Sequence, residues 1–595
     1  MMQRPAAFLW GASTASYQVE GGITNNDWHY FITSEVIRKR VSALRRSDMS
    51  NLVPAGDSAK AWDPKYYSLD FKLAKKLGFN SFRISLEWSR IEPEPGQWDQ
   101  NAISHYAEMI RSIRDAGLTP MITLNHLTLP LWVLTPPTHF AKKIDRSLSS
   151  LVPTVLADLS LAEPVPDDPF WNSLQGWENN RTVNEFVGFV GFVVRELRDL
   201  VDYWVTVSEP VAAVIYMGYI AGLWPPGLVF DASRAKKALH NLILAHILTY
   251  DKISGLDDAD ADGDGISRCI GFSHLMTEVA AASQNDGGGS LGGINATCIP
   301  TDRDSKGINL NTEAARNFAY FVNDYFVNAV INGEEDLNYL ETLQRHNKDS
   351  PNFILHDDWK NKTDFIGIDY YRRIYVHYDR VLESSPVKFL GGVMIEKSLG
   401  SSNNVSDGEK RPRATLLNDL GWEVFPEGLY NLLIHVKENW GNKIPILITE
   451  NGIADRYDKY RAPFIVAHIQ QIKRAIDSSD VNVMGYLHWS FMDNYEWLEG
   501  YRPEAKFGLF TVDFGIEDKR SNGVFDSRIN NKSHNDKNNN NNGLTKRIYL
   551  NRQKTKGAEA LELIIKESFD QRKDGKISND AISVARQRFG TLIIR

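Results

Sequence analysis

Cysteine is nearly absent: the 595-residue chain holds two, Cys269 and Cys298. Two thiols allow one bridge at most, so no disulfide framework holds the fold, and this usage fits a reducing compartment. An excess of basic charge is also missing. Lys and Arg number 67 against 75 Asp and Glu, a formal net charge of -8, which leaves no electrostatic footprint for nucleic acid as a partner. Runs such as Arg38-Lys39-Arg40 read as solvated surface. No apolar stretch is long enough for a transmembrane segment, and no apolar targeting segment stands before Phe8-Leu9-Trp10-Gly11. Repeats of solenoid period are lacking as well. The expectation is a soluble, cytoplasmic protein whose oligomeric state has no signature in the sequence.

What is present is core material in a regular pattern. Hydrophobic residues make up 42% and aromatics 11% of the chain, enough for one elaborated barrel or several smaller domains. Eight short runs rich in β-branched and aromatic residues occur at 8–13, 79–87, 119–125, 203–208, 268–274, 364–370, 444–449 and 482–489. Helical patterns separate most of them: Ile103, Tyr106, Ile110 and Ile113 precede the third run, and Phe186, Phe189, Val193, Leu197 and Leu200 precede the fourth. Eight strands alternating with helices predict an α/β fold, a (β/α)8 TIM barrel in a single domain.

The barrel is expected over residues 1–570, with insertions at 134–175 and 521–545 and a C-terminal extension over 571–595. The first insertion, rich in Pro, Asp and Ser, follows the third strand and is a candidate substrate-shaping loop. Residues 527–543, with the run Asn538 to Asn542, read as low-complexity disorder. Asp258, Asp260, Asp262 and Asp264 alternate ahead of Gly265, and the stretch from Asp260 reads like the start of a calcium loop. Gly271 stands where an EF-hand would close with Glu, so a solvated acidic turn is the other reading.

Two acidic residues close apolar runs: Glu209 in Trp204-Val205-Thr206-Val207-Ser208-Glu209-Pro210, and Glu450 in Ile446-Leu447-Ile448-Thr449-Glu450-Asn451-Gly452. A carboxylate at the C-terminal end of a parallel strand lies where α/β barrels carry their chemistry. An acid at a helix N-terminus, favoured by the helix dipole, is the plainer alternative for either one. As a pair, they supply what retaining glycoside hydrolysis needs: a nucleophilic carboxylate on one face of the sugar and an acid/base on the other, roughly 5 to 5.5 Å apart.

These motifs, in this order, resemble glycoside hydrolase family 1, the β-glycosidases, over residues from Phe8 to about Phe514. The resemblance implies a retaining enzyme on a (β/α)8 barrel, with Glu209 as acid/base and Glu450 as nucleophile. It needs no cofactor and no catalytic metal. Gln18, in Ala15-Ser16-Tyr17-Gln18, and His126, in Leu124-Asn125-His126, match residues that hydrogen-bond sugar hydroxyls. Arg83 matches an arginine beside the nucleophile, where a fixed cation favours the ionised form, and Tyr371 a tyrosine bonded to the same carboxylate. In the segment His488 to Trp497, Trp489 matches a platform for the sugar ring, while Glu496 and the Trp497 indole match partners for its hydroxyls. Trp422 is similar to the family's aglycone-side tryptophan, with core packing as the alternative. Relatives that act on 6-phosphosugars lack the acid at the position of Glu496, so its presence points to an unphosphorylated sugar.

Two positions depart from the family pattern. Ser208 stands in place of the Asn that binds the sugar 2-hydroxyl, and Asp369 in place of the Asn in Ile368-Asp369-Tyr370-Tyr371. Weaker catalysis or a different preferred sugar is the consequence, because hydrogen bonds to the 2-hydroxyl strengthen in the transition state. The expected activity is hydrolysis of β-glucosides or β-galactosides. The alternatives are a transglycosidase, suggested by Arg461-Ala462-Pro463 and the ending Arg572-Lys573-Asp574-Gly575-Lys576, and a catalytically weak carbohydrate-binding homologue.

Overall fold

Eight parallel strands close into a barrel in strict chain order: β1 (Leu9–Ser13), β2 (Ser81–Ser85), β3 (Thr119–Asn125), β4 (Tyr203–Ser208), β5 (Cys269–Leu275), β6 (Phe365–Tyr370), β7 (Ile446–Asn451) and β8 (Val483–Trp489). Each matches one of the eight runs expected from the sequence. The computed structural model describes residues 7–133 (apart from 46, 48, 50 and 51), 176–282 (apart from 266), 309–336, 339, 352–378, 393–395, 416–514, 552–571 and 574–592. The insertions at 134–175 and 521–545, the asparagine run and Cys298 lie outside the described residues.

The strands lack the alternation of a half-exposed sheet because both of their faces are buried. Inside the barrel, Leu9, Met121, Tyr203, Phe365, Leu447 and Leu487 pack with one another. Gly485 fits among them only without a side chain, since a Cβ there would lie 2.7 Å from both Leu447 and Leu9. The outward faces meet the surrounding helices in a second, larger apolar shell.

The helices begin where capping chemistry allows. Asp99 caps α1 (Gln100–Asp115), Asn179 caps α2 (Asn180–Leu197) and Asp231 caps α3 (Ala232–Leu256), each side chain accepting a backbone N–H of the first turn. The apolar stripe of α1 is buried as its spacing predicts. That of α2 stops at Leu197, because Leu200 falls in the tight turn Arg198–Leu200 that leads into β4.

Late elements fasten the barrel's N-terminal end. After α4 (Arg461–Ser479) come α5 (Lys556–Gln571) and α6 (Asn579–Phe589), which pack against α4 and against each other. Ala581, Ile582 and Ala585 of α6 are buried in the outer core. The Trp10 indole of β1 donates to the Gly575 carbonyl at 2.8 Å, and the Phe8 amide to that of Asp574 at 2.9 Å. Where it is described, the 571–595 segment is thus packed on the barrel. Among the described residues, no helix is long and apolar enough to cross a membrane.

Candidate active site

The C-terminal ends of the strands bring the predicted residues together. Glu209 follows β4 directly, whereas Glu450 lies within β7 and not just beyond it. There the register against β6 shifts between Ile448 and Glu450, so that Glu450 pairs with Asp369. Glu209 has left-handed backbone angles, φ 48° and ψ 47°, a conformation that costs a non-glycine residue about 1–3 kcal/mol and clusters at functional sites. It is held by its N–H, which donates to the Ser273 carbonyl at 2.8 Å, and by the wide helix Pro210–Ile220 that starts behind it. The Glu209 side chain does not cap that helix, so the plainer reading of an acid at a helix N-terminus does not account for it.

Glu450 is gripped at both oxygens. Arg83 Nη1 donates to Oε1 at 2.8 Å and the Tyr371 hydroxyl to Oε2 at 2.7 Å. Arg83, fully buried on β2, is itself fixed by Thr123 Oγ1 (2.8 Å from Nε) and Ser208 Oγ (3.1 Å from Nη2). Ser208 therefore accepts from Arg83 and keeps its own O–H to donate. A carboxylate oxygen from each of Glu209, Glu450 and Asp369 lies within 4.8 Å of the other two.

Asp369 is fully buried and accepts from Ser273 Oγ at 2.6 Å and Thr449 Oγ1 at 2.7 Å. The sequence reading passed over these two hydroxyls; the only signal is a polar residue inside an otherwise apolar strand. Burial, then Asp369, then Glu450 push the Glu209 carboxyl well above its ordinary value, with Arg83 opposing. Glu450 is raised by burial and by Asp369, but Arg83 and Tyr371 work against the shift. Of the two, Glu450 is the better compensated, so a negative charge is favoured there over Glu209.

The extra carboxylate has a testable effect on pH dependence. With Glu209 as an acid that must be protonated and Glu450 as a nucleophile that must be ionised, the expected outcome is activity lost as pH rises through the Glu209 value and as pH falls through the Glu450 value. Asp369→Asn removes a negative neighbour and lowers both values. The bell-shaped kcat/KM profile is expected to move to lower pH on both limbs. An unmoved profile would rule out a charged Asp369 in the working protein.

A second group adjoins the first. The Glu496 carboxylate accepts from Trp489 Nε1 and Gln18 Nε2, at 3.2 and 3.3 Å. His126 stacks with Trp489 and Trp497 at centroid distances of 5.9 and 6.3 Å. Burial, and secondarily Arg83, hold the His126 imidazole well below its ordinary value, so it is neutral. Gln18 Oε1 and His126 Nδ1 are buried with no hydrogen-bond partner among the described residues, and polar groups so placed call for one. Half-buried Trp422 packs edge-on to Tyr371 at 6.1 Å. Over its ring, at 4.8 Å, lies the guanidinium of Arg372, a cation at this rim that no motif had marked.

The sequence profile of Glycosyl hydrolase family 1 matches residues 2–142, 171–286 and 288–533. The chain is 28% identical over 552 residues to a β-galactosidase of Pyrococcus woesei, spanning 85% of this chain and 92% of that protein. It is 27% identical over 534 residues to β-glucosidase A of Thermotoga maritima, spanning 86% and 94%. Among solved structures, the β-glycosidase from Pyrococcus horikoshii superposes with a TM-score of 0.63 at 23% identity, covering 100% of this chain and 99% of that one.

Proposed function

Since the chain belongs to glycosyl hydrolase family 1, we propose that Glu209 and Glu450 are the acid/base and nucleophile of its retaining β-glycosidase reaction, acting on β-glucosides or β-galactosides. In the first step ionised Glu450 attacks the anomeric carbon while Glu209 gives its proton to the departing oxygen. A glycosyl ester forms on Glu450 and the aglycone leaves as an alcohol. In the second step Glu209, now a base, takes a proton from water, whose oxygen displaces the ester and restores the starting configuration.

The carrying observation is the spacing of the two carboxylates, with oxygens within 4.8 Å. Retaining enzymes hold the pair about 5–5.5 Å apart, whereas inversion needs about 6.5–9.5 Å to admit a water between them. Gln18, His126, Trp489, Glu496 and Trp497 bind the sugar, with the unpartnered Gln18 and His126 atoms taking its hydroxyls. Ser208 replaces the usual 2-hydroxyl contact, Asp369 adds a carboxylate beside Glu450, and Trp422 borders the aglycone. A carboxylate at Glu496 favours an unphosphorylated sugar. The 571–595 segment serves as an integral part of one barrel domain, and the scarcity of cysteine favours the cytoplasm.

Proton NMR of the first sugar released from a panel of nitrophenyl β-glycosides tests the reading. The β-anomer is expected to appear first. First release of the α-anomer, or no turnover on any member of the panel, would overturn it.

A further inference from the structure

The acidic loop at the opposite end of the barrel takes no part in this chemistry. It runs between α3 and β5, and one carboxylate oxygen from each of Asp260, Asp262 and Asp264 lies within 4.8 Å of the others, all three residues being exposed. Calcium–oxygen bonds of about 2.4 Å put ligands on opposite sides of the ion about 4.8 Å apart. Asp258 is not part of this set, because it is paired with Arg198 at 3.1 Å.

A second observation lies outside the loop. Asp202, just before β4, is 1% exposed. Its side chain points to the loop, where Oδ1 accepts the Ala261 amide at 2.7 Å. Its Oδ2 is buried with no hydrogen-bond partner among the described residues. A buried carboxylate oxygen without a donor is costly, and the negative charges of Asp262 and Asp264 stand near it and repel it. Arg114, the cation acting on Asp202, spends its guanidinium on the carbonyls of Leu200 and Ala261. A divalent cation would remove both the unmet oxygen and the repulsion.

We propose that this loop binds a calcium ion, with Asp260, Asp262 and Asp264 as loop ligands and Asp202 supplying the carboxylate that an EF-hand takes from its last position. That last position is Gly271, which cannot serve: it is committed to β5, where an added Cβ would meet the Phe365 ring at 2.6 Å. Asp202 stands beside the loop because β4 adjoins β5, with the Cys269 amide bonded to the Asp202 carbonyl at 2.6 Å, and its oxygens lie outside the 4.8 Å set formed by the other three. The oxygen-rich, carboxylate-dense set suits calcium rather than magnesium, which demands a tighter octahedron. At the N-terminal end of the barrel the ion contributes to stability and not to turnover.

The test uses the full-length protein, stripped with EDTA and titrated calorimetrically with calcium chloride and, separately, magnesium chloride. One calcium per chain is expected to bind, and thermal unfolding should move to higher temperature as calcium rises. Asp202→Asn is expected to weaken calcium at least about tenfold and Asp262→Asn more, with kcat unchanged in both. Absence of calcium binding at 1 mM (roughly the weak end of such sites), preference for magnesium, or calcium affinity unchanged in Asp202→Asn would each overturn the proposal. Asp262 is exposed, so its variant remains informative if Asp202→Asn fails to fold.

Discussion

Glu450→Gln is expected to lower kcat by roughly 10⁴-fold or more. The amide cannot form the glycosyl ester, so the route through a covalent intermediate is closed and not merely slowed. The amide oxygen can still accept from Arg83 while its NH2 donates to the Tyr371 hydroxyl oxygen, the two groups that grip the native carboxylate, so the fold should survive. Steady-state rates on a nitrophenyl β-glucoside, with circular dichroism to confirm folding, check this. A rate within tenfold of the native enzyme would remove Glu450 from the nucleophile's role.

Glu209→Ala should separate substrates by leaving group. Alkyl glycosides, which need the proton, are expected to lose about 10²–10⁴-fold in kcat/KM, and dinitrophenyl glycosides far less. With the activated substrate the intermediate should accumulate, because water has lost its base. Azide attacks without one, so adding it should restore turnover and give a β-glycosyl azide. Equal losses on both substrates, with no azide product, would show that Glu209 is not the proton donor. Arg83 cannot stand in as the donor, since it is already spent on Glu450, Thr123 and Ser208.

The barrel was legible because its eight strands are buried on both faces, and runs such as Trp204 to Val207 have no other use for so many β-branched and aromatic residues. The proposed catalytic pair was legible because each acid ends or nearly ends such a run. Arg83, Tyr371 and Glu496 owed their expected roles to resemblance, and the structure puts the first two in contact with Glu450. What escaped was pairing across strands distant in the chain. That Asp369 sits under Ser273 and Thr449 depends on a register shift in β7 that no local pattern encodes. Asp202 reaches a loop some sixty residues further on, and Arg372 was passed over because it follows the recognised Tyr370-Tyr371 pair.

The bond between Trp10 and Gly575 spans 565 residues of sequence, and this sets the order of events during synthesis. β1 leaves the ribosome long before its closing neighbour, β8, and its indole partner are made. Until then the nascent chain carries an open sheet edge with apolar faces, the state most exposed to mispairing between chains. So long a separation between contacting residues also slows folding, since the loop must be closed before its contacts repay the cost. The interval between the birth of β1 and the docking of the C-terminal helices is therefore when this protein has most need of a chaperone.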